Sequence, residues 1–314
     1  MVERFSYRGW NNVYKLSNQV IELIVTADVG PRIIWYGFRN RENLLHEVEA
    51  DAGKTGGSEF RLYGGHRLWV SPEVDRTYYP DNFPVTVSQH GCAIRFTARR
   101  EDLPPGTNLQ KEIEIELSDS GSQVQITHRV KNGDSRPTRL APWSPTMMSA
   151  GGRTILPLPP RAPMQNNVLP VGVLGVWSYT DFADPRWTFG TSYIQLQQSP
   201  GPTGRFKEQM GGIFNPAGWG AYFKAGYLFI KRAAVIADAR YPDFGCNFEV
   251  FTNPEFIELE TLGPLVELQA GEVVEHVEYW WLFAGVPAGE DDAWIESAII
   301  PLVNQTGLTL PGLR

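Results

Sequence analysis

Apolar and polar residues alternate with a period of two along much of this chain, and that period predicts strands. Residues 109–117 (Leu-Gln-Lys-Glu-Ile-Glu-Ile-Glu-Leu) alternate in this way, as do residues 124–130, with Ser118-Asp119-Ser120-Gly121-Ser122 turning between them. Each run has one apolar and one polar face, which suits antiparallel strands half open to water. β-Branched runs at 20–25 and 32–36 flank a Gly30-Pro31 break. Residues 84–88 and 93–98 flank 89–92 and read as a hairpin. Further strands are expected at 220–224, 228–232, 248–252, 256–260, 273–277 and 278–283. Only residues 291–300 read as a helix, with Glu290, Asp291 and Asp292 at its positive end and Pro301 closing it. No fixed-period repeat occurs, which disfavours a propeller or solenoid. The proline-rich stretch 156–170 reads as a loop, not a linker, so residues 1–314 are expected to form one domain. Many antiparallel strands in one domain predict an all-β fold of two stacked sheets.

Composition sharpens this picture. The 31 Gly and 24 Pro are spread along the chain, as expected where many short strands are separated by turns. Aromatic residues make up 12% of the chain and include 10 Trp, enough for a large core. The net charge is −7 and no basic cluster occurs, which argues against a nucleic-acid partner. No apolar run reaches the length of a membrane-spanning helix, so no membrane partner is expected. The opening residues lack the apolar stretch of an export signal. Cys92 and Cys246 fit neither a disulfide framework nor a zinc-ligand spacing. Together these points predict a reduced, cytoplasmic protein.

Four segments carry more chemistry than a plain strand needs. Tyr63-Gly64-Gly65-His66-Arg67-Leu68-Trp69-Val70-Ser71-Pro72-Glu73 places an imidazole, a guanidinium, an indole and a carboxylate after two glycines. It reads as a pocket lining or, alternatively, as a turn with Arg67 paired to Glu73. Residues 249–264 put Glu258 and Glu260 on one face of a strand, with Asn253 in the preceding turn. In a cleft, mutual repulsion and desolvation would make this an acid/base pair; on an open sheet face it would serve solubility. The uncharged stretch 140–152 holds Trp143, which suits either a core or a sugar-stacking surface. Tyr241-Pro242-Asp243-Phe244-Gly245 reads as a turn with Asp243 between aromatics. Among the other histidines, His128 is expected in the core, His90 at a hairpin tip and His276 in solvent. There is no GxSxG, Walker A, HExxH or dinucleotide-binding glycine pattern.

The order of these segments resembles the galactose mutarotase-like superfamily, which includes aldose 1-epimerases and hexose-6-phosphate epimerases. The residues that carry the likeness are Asp28-Val29-Gly30-Pro31-Arg32-Ile33-Ile34, Gly64-Gly65-His66-Arg67-Leu68-Trp69, Ala141-Pro142-Trp143-Ser144, Tyr241-Pro242-Asp243 and Glu258-Leu259-Glu260-Thr261-Leu262-Gly263-Pro264. A final Leu268-Gln269-Ala270-Gly271-Glu272 is similar to a turn near that family's C-terminus. The resemblance implies a β-supersandwich of two large antiparallel sheets with a sugar, or an oligosaccharide, on a concave face. It implies no cofactor. In the epimerases a carboxylate takes the proton of the anomeric hydroxyl and a histidine protonates the ring oxygen. The family's late-strand glutamate matches Glu260 or Glu258, and the Gly-Gly segment would bring His66 and Arg67 to the cleft. The family's mid-strand histidine has no counterpart in Trp143-Ser144-Pro145-Thr146-Met147, so His66 is the expected acid. Arg67 and Arg32 would anchor hydroxyls or an acidic group, and Trp69 and Trp143 would stack on the sugar. Glu73, Asp243 and Asn253 complete the expected binding set; nothing in their spacing demands a metal. The rival readings are a carbohydrate-binding protein without catalysis, and an oligosaccharide lyase or hydrolase using Glu258 with Glu73 or Glu260.

Overall fold

The structure is a computed structural model that describes residues 1–102, 108–201 and 205–307. Nearly all of its regular structure is antiparallel strand, in two large sheets packed face to face. The first sheet begins with a four-stranded meander, Val2–Tyr7, Trp10–Ser17, Ile21–Thr26 and Arg32–Phe38. Bridges from Ile33 to His66 and from His66 to Thr146 join this meander to the strand Thr138–Met148. Ile257–Leu262, Phe248–Thr252, Gln209–Ile213 and Leu174–Val176 follow outward from Thr138–Met148, while Trp69–Ser71 lies on its other side. The second sheet has ten strands, with Tyr227–Ala233, Val273–Ala284 and Val124–Asn132 at its centre.

The period-two pattern explains the sandwich. Val124, Ile126 and Val130 pack inward from the second sheet against Leu68, Leu259, Phe248 and Tyr36 of the first. Residues 86–90 and 93–97 form the expected hairpin, closed by His90 pairing with Ala93. The expected strands at 273–277 and 278–283 are one continuous strand, Val273–Ala284. Its neighbours Tyr227–Ala233 and Val124–Asn132 pair with it along its length, so no turn interrupts it.

The C-terminal helix also differs from expectation. It runs from Asp292 through Pro301 to Gln305, with a wide π-type turn over Ile295–Ile299. That turn lets a new helical segment start at Ile300, where a proline lacking an N–H costs nothing. Asp291 caps the start by accepting from the Trp294 amide. Trp294, Ile295, Ile299 and Val303 cover the outer side of the ten-stranded sheet at Trp219, Phe223 and Ile230. No described helix is long and apolar enough to cross a membrane.

Candidate functional site

Strand register decides what shares a face with what. Pro145 pairs with Glu260, Glu260 with Glu249, and Glu249 with Gly212. On the other side of Thr138–Met148, Trp69 pairs with Trp143, and the Arg67 amide donates to the Pro145 carbonyl. Arg67, Pro145, Glu260 and Glu249 therefore form one row across four neighbouring segments, at about 4.8 Å per step, on the face turned away from the second sheet. Met147, Glu258 and Phe251 form the next row, and Trp69, Trp143 and Leu262 the row on the other side.

This outer face is covered by aromatic rings. Trp143, Met210 and Leu262 cluster with Trp69, Trp177, Tyr179 and Phe251. Trp69 meets Trp143 edge-on at 5.1 Å between centroids. The Arg67 guanidinium lies 4.5 Å from the Trp69 ring centroid and donates to the Leu62 carbonyl at 3.0 Å. Arg67 is buried, yet its Nε and Nη1 have no hydrogen-bond partner. Trp143 Nε1 donates to Glu260 Oε2. Glu249 is 1% exposed, Glu260 1% and Glu258 8%. At the rim, Asp243 lies beside Ser71 and lines a hollow of about 180 Å³ with Gly175, Val176, Trp177 and Phe244. Asp243 and Phe244 are both held in the left-handed region, with φ of 50° and 63°.

Burial sets the charge state of these groups. It raises the Glu258 carboxyl to about 7, although Arg67 and Lys231 pull it down. Glu260 is also pushed up, by burial and by the Glu258 charge, against the Trp143 hydrogen bond. Glu249 rises for the same reason, with Glu260, Asp243 and Glu73 adding negative charge around it. Burial also lowers Arg67 to about 9, and Arg32 adds to the effect. Burial thus favours the protonated form of each of these carboxyls, and their mutual charges couple their titration.

Behind the same strands, between the sheets, lies a second polar cluster. Lys231 Nζ donates to Glu278 Oε1 at 2.9 Å, to the Ser144 carbonyl at 2.9 Å and to the Leu259 carbonyl at 3.1 Å. Trp280 Nε1 and the Thr261 hydroxyl also donate to Glu278. Hydrogen-bond direction follows from the acceptors. His128 Nδ1 faces the His276 carbonyl at 2.9 Å, so Nδ1 carries the proton and Nε2 accepts. His66 Nε2, 2.7 Å away, is then the donor, and its Nδ1 accepts from the Thr146 hydroxyl at 2.8 Å. His66, His128 and Glu278 are the one group of three among the described residues that gathers closely enough for a metal ion. In this arrangement both imidazole nitrogens and the carboxylate are already engaged, and Lys231 supplies the positive charge.

These positions correct several expectations. His66 does not meet Glu258 and Glu260. It is fully buried between the sheets, because side chains alternate along 66–71 and Arg67, Trp69 and Ser71 take the outer face. Arg32 is no ligand anchor, since its guanidinium is enclosed by Asp81 at 2.7 Å and the Leu62 carbonyl at 2.9 Å. The Asn253 side chain caps its own turn by accepting from the Glu255 and Phe256 amides. His276 is 6% exposed, not solvated, and burial lowers its pKa to about 3. Glu73 is exposed at the rim and accepts from the Tyr78 hydroxyl. Glu249, Tyr179 and Lys231 went unremarked as site residues. A charge in the otherwise apolar Phe248–Thr252 was the available signal for Glu249; Tyr179 lies in irregular chain and offered none.

No protein-family model matches the sequence, and no curated protein matches it. Solved structures do match in shape. A galactose mutarotase-like protein from Lactobacillus casei aligns with a TM-score of 0.54 at 11% identity, over 87% of this chain and 100% of its own. The chain has the galactose mutarotase-like fold. A galactose mutarotase related enzyme from Lactobacillus acidophilus aligns at 0.55 and 8% identity, over 88% and 99% of the two chains. A galactose mutarotase-like protein from Clostridium acetobutylicum aligns at 0.53 and 10% identity, over 90% and 98%. The mutarotase-like fold here is thus matched over 87–90% of the chain by proteins with few identical residues.

Proposed function

We propose that the protein binds a sugar on the outer face of the first sheet and interconverts its anomers with a carboxyl pair. The observation that carries this reading is that Glu258 and Glu260 are buried on one face beside Arg67 and a wall of indoles, with both carboxyls pushed up by burial. Glu258, the carboxyl on which Arg67 acts, is the base. Glu260, raised by burial and by the Glu258 charge, is the acid; Trp143 Nε1 occupies one of its oxygens and leaves the other to carry the proton. The base takes the proton of the anomeric hydroxyl, the acid gives one to the ring oxygen, and the C1–O5 bond breaks. Rotation about C1–C2 and reversal of both transfers yield the other anomer. Two carboxyls in unequal environments replace the carboxylate and histidine of the epimerases. The names of the structural relatives support a sugar as ligand.

Polarimetry on freshly dissolved α-anomers of several hexoses tests this. Glu258→Gln and Glu260→Gln should each slow enzyme-dependent equilibration by about 10²–10⁴-fold. Unchanged rates in both variants would overturn the catalytic role. A non-catalytic binding role is favoured by one observation, the Trp143 indole lodged against Glu260. Saturable sugar binding with no acceleration by the unmodified protein would establish it.

A further inference from the structure

The row that carries the carboxyls does not stop at Glu249. It continues through Gly212 to Gly175, in Leu174–Val176, the end strand of the first sheet. There the hollow of about 180 Å³ opens, lined by Gly175, Val176, Trp177, Asp243 and Phe244. Trp177 belongs to both places, because it packs against the indole wall of Trp143 and also lines the hollow. A Cβ at Gly175 would sit 3.3 Å from the Trp177 ring and 3.0 Å from Cys246 Sγ, so glycine lets the indole lie close to the strand. Asp243 joins the two places as well. It takes a hydrogen bond from Glu249, whose carboxyl burial keeps protonated, and another from the Ser71 hydroxyl at 3.4 Å.

The turn that carries Asp243 is strained. Asp243, Phe244 and Gly245 take successive left-handed conformations, with φ of 50°, 63° and 108°. Glycine suits such a position, whereas phenylalanine does not. A residue held in this region is ordinarily fixed by its surroundings, yet Phe244 is 92% exposed, so packing within the fold does not account for it. The strained turn instead presents an aromatic ring to a hollow that it shares with an indole and a carboxylate. Rings stack on the C–H faces of a pyranose and a carboxylate accepts its hydroxyls, which is the chemistry of a sugar-binding wall.

We propose that this hollow is a second sugar subsite, and that the ligand is a reducing disaccharide or longer oligosaccharide. Its reducing end lies at Glu258 and Glu260, and its next unit lies against Trp177 and Phe244 with hydroxyls on Asp243. The inference rests on the sugar-binding reading above and names the substrate class for it. Gly175 is three strand steps from Glu260, about 14 Å, beyond the reach of one pyranose ring and suited to linked units. The hollow has the bulk of one such unit. Val176 and Phe244 are exposed at the sheet's edge, so a third unit would run out into solvent. The subsite therefore rewards one added unit and is indifferent to further chain length.

Calorimetric titration provides the test. The probes are maltose, cellobiose, lactose and gentiobiose against glucose, and β-1,4-mannobiose against mannose. We expect at least one disaccharide to bind about tenfold or more tightly than its reducing-end monosaccharide. Phe244→Gly should shrink that ratio severalfold without lowering the midpoint of thermal unfolding, because glycine takes the left-handed turn without strain. Phe244→Trp, which keeps an aromatic face, should retain the ratio. Monosaccharides binding as tightly as every disaccharide, or a ratio unchanged in Phe244→Gly, would overturn the subsite and leave the single-sugar site standing. If no monosaccharide or disaccharide binds, the sugar reading itself falls and takes the subsite with it.

Discussion

At the scale of single residues, Lys231 and the carboxyl pair stand on opposite sides of the same strand. Lys231 spends its three protons on Glu278 and on the carbonyls of Ser144 and Leu259, the strands that carry Trp143, Glu258 and Glu260. It is a positioning residue, fixing the backbone from which the carboxyls project. Lys231→Met should leave Glu278 as an uncompensated buried charge and cost about 3–5 kcal/mol in urea unfolding. Adding Glu278→Gln should restore a large part of that loss, a coupling that a merely local packing defect would not show. The carboxyls also set a pH signature. Glu258 must be ionised and Glu260 protonated, so anomer equilibration should rise with an acid limb near pH 7 and fall again where Glu260 ionises. A rate that climbs without a maximum, measured by polarimetry from pH 5 to 10, would exclude Glu260 as the acid.

At the scale of elements, the segment 64–71 is the one that makes the site possible. It splices the N-terminal meander to the central strand Thr138–Met148 and turns Arg67 outward and His66 inward. Gly65 permits the splice. Its φ is +71°, and a Cβ there would sit 2.1 Å from the Ile33 carbonyl oxygen. Gly65→Ala should therefore destabilise the fold by several kcal/mol, through left-handed strain plus a backbone clash. Gly91→Ala, at φ +62° in a hairpin tip with open space around it, should cost only about 1 kcal/mol. Equal effects of the two substitutions on thermal unfolding would mean that the splice does not constrain the sheet. The C-terminal helix has no comparable role in the site; it covers the outer side of the opposite sheet.

At the scale of the whole molecule, two sets of buried titratable groups oppose each other. His66, His128 and His276 are held neutral by burial, below their unfolded pKa of about 6.5. The unfolded chain binds protons there that the native chain refuses, so this contribution is intact above about pH 6.5 and is lost as pH falls. Glu249, Glu258 and Glu260 are raised, so the native chain holds protons that the unfolded chain releases above about 4.5, and stability falls as pH rises through that range. Between these limits the two sets largely cancel. His276→Asn should lose about 1 kcal/mol at pH 8, where the Thr261 hydrogen bond is removed, and regain about 1.4 kcal/mol per pH unit below 6.5 relative to the unmodified protein. A constant difference between the two unfolding curves across pH would contradict this. The same two sets mark where the sequence stops and the fold takes over. Alternation along 109–117, 124–130 and 256–260, the Gly and Pro punctuation, and the order of short motifs were enough to specify an all-β sandwich and to put Glu258 and Glu260 on one face, because strand periodicity is local. Whether that face met His66 or Arg67 was not local. It depended on a bridge between residues 66 and 146, and one step of register sends an imidazole to the core and a guanidinium to the cleft. Glu249 became a partner of Glu260, and His276 a buried group, for the same reason: cross-strand pairing and sheet-on-sheet packing join residues that the chain itself keeps apart.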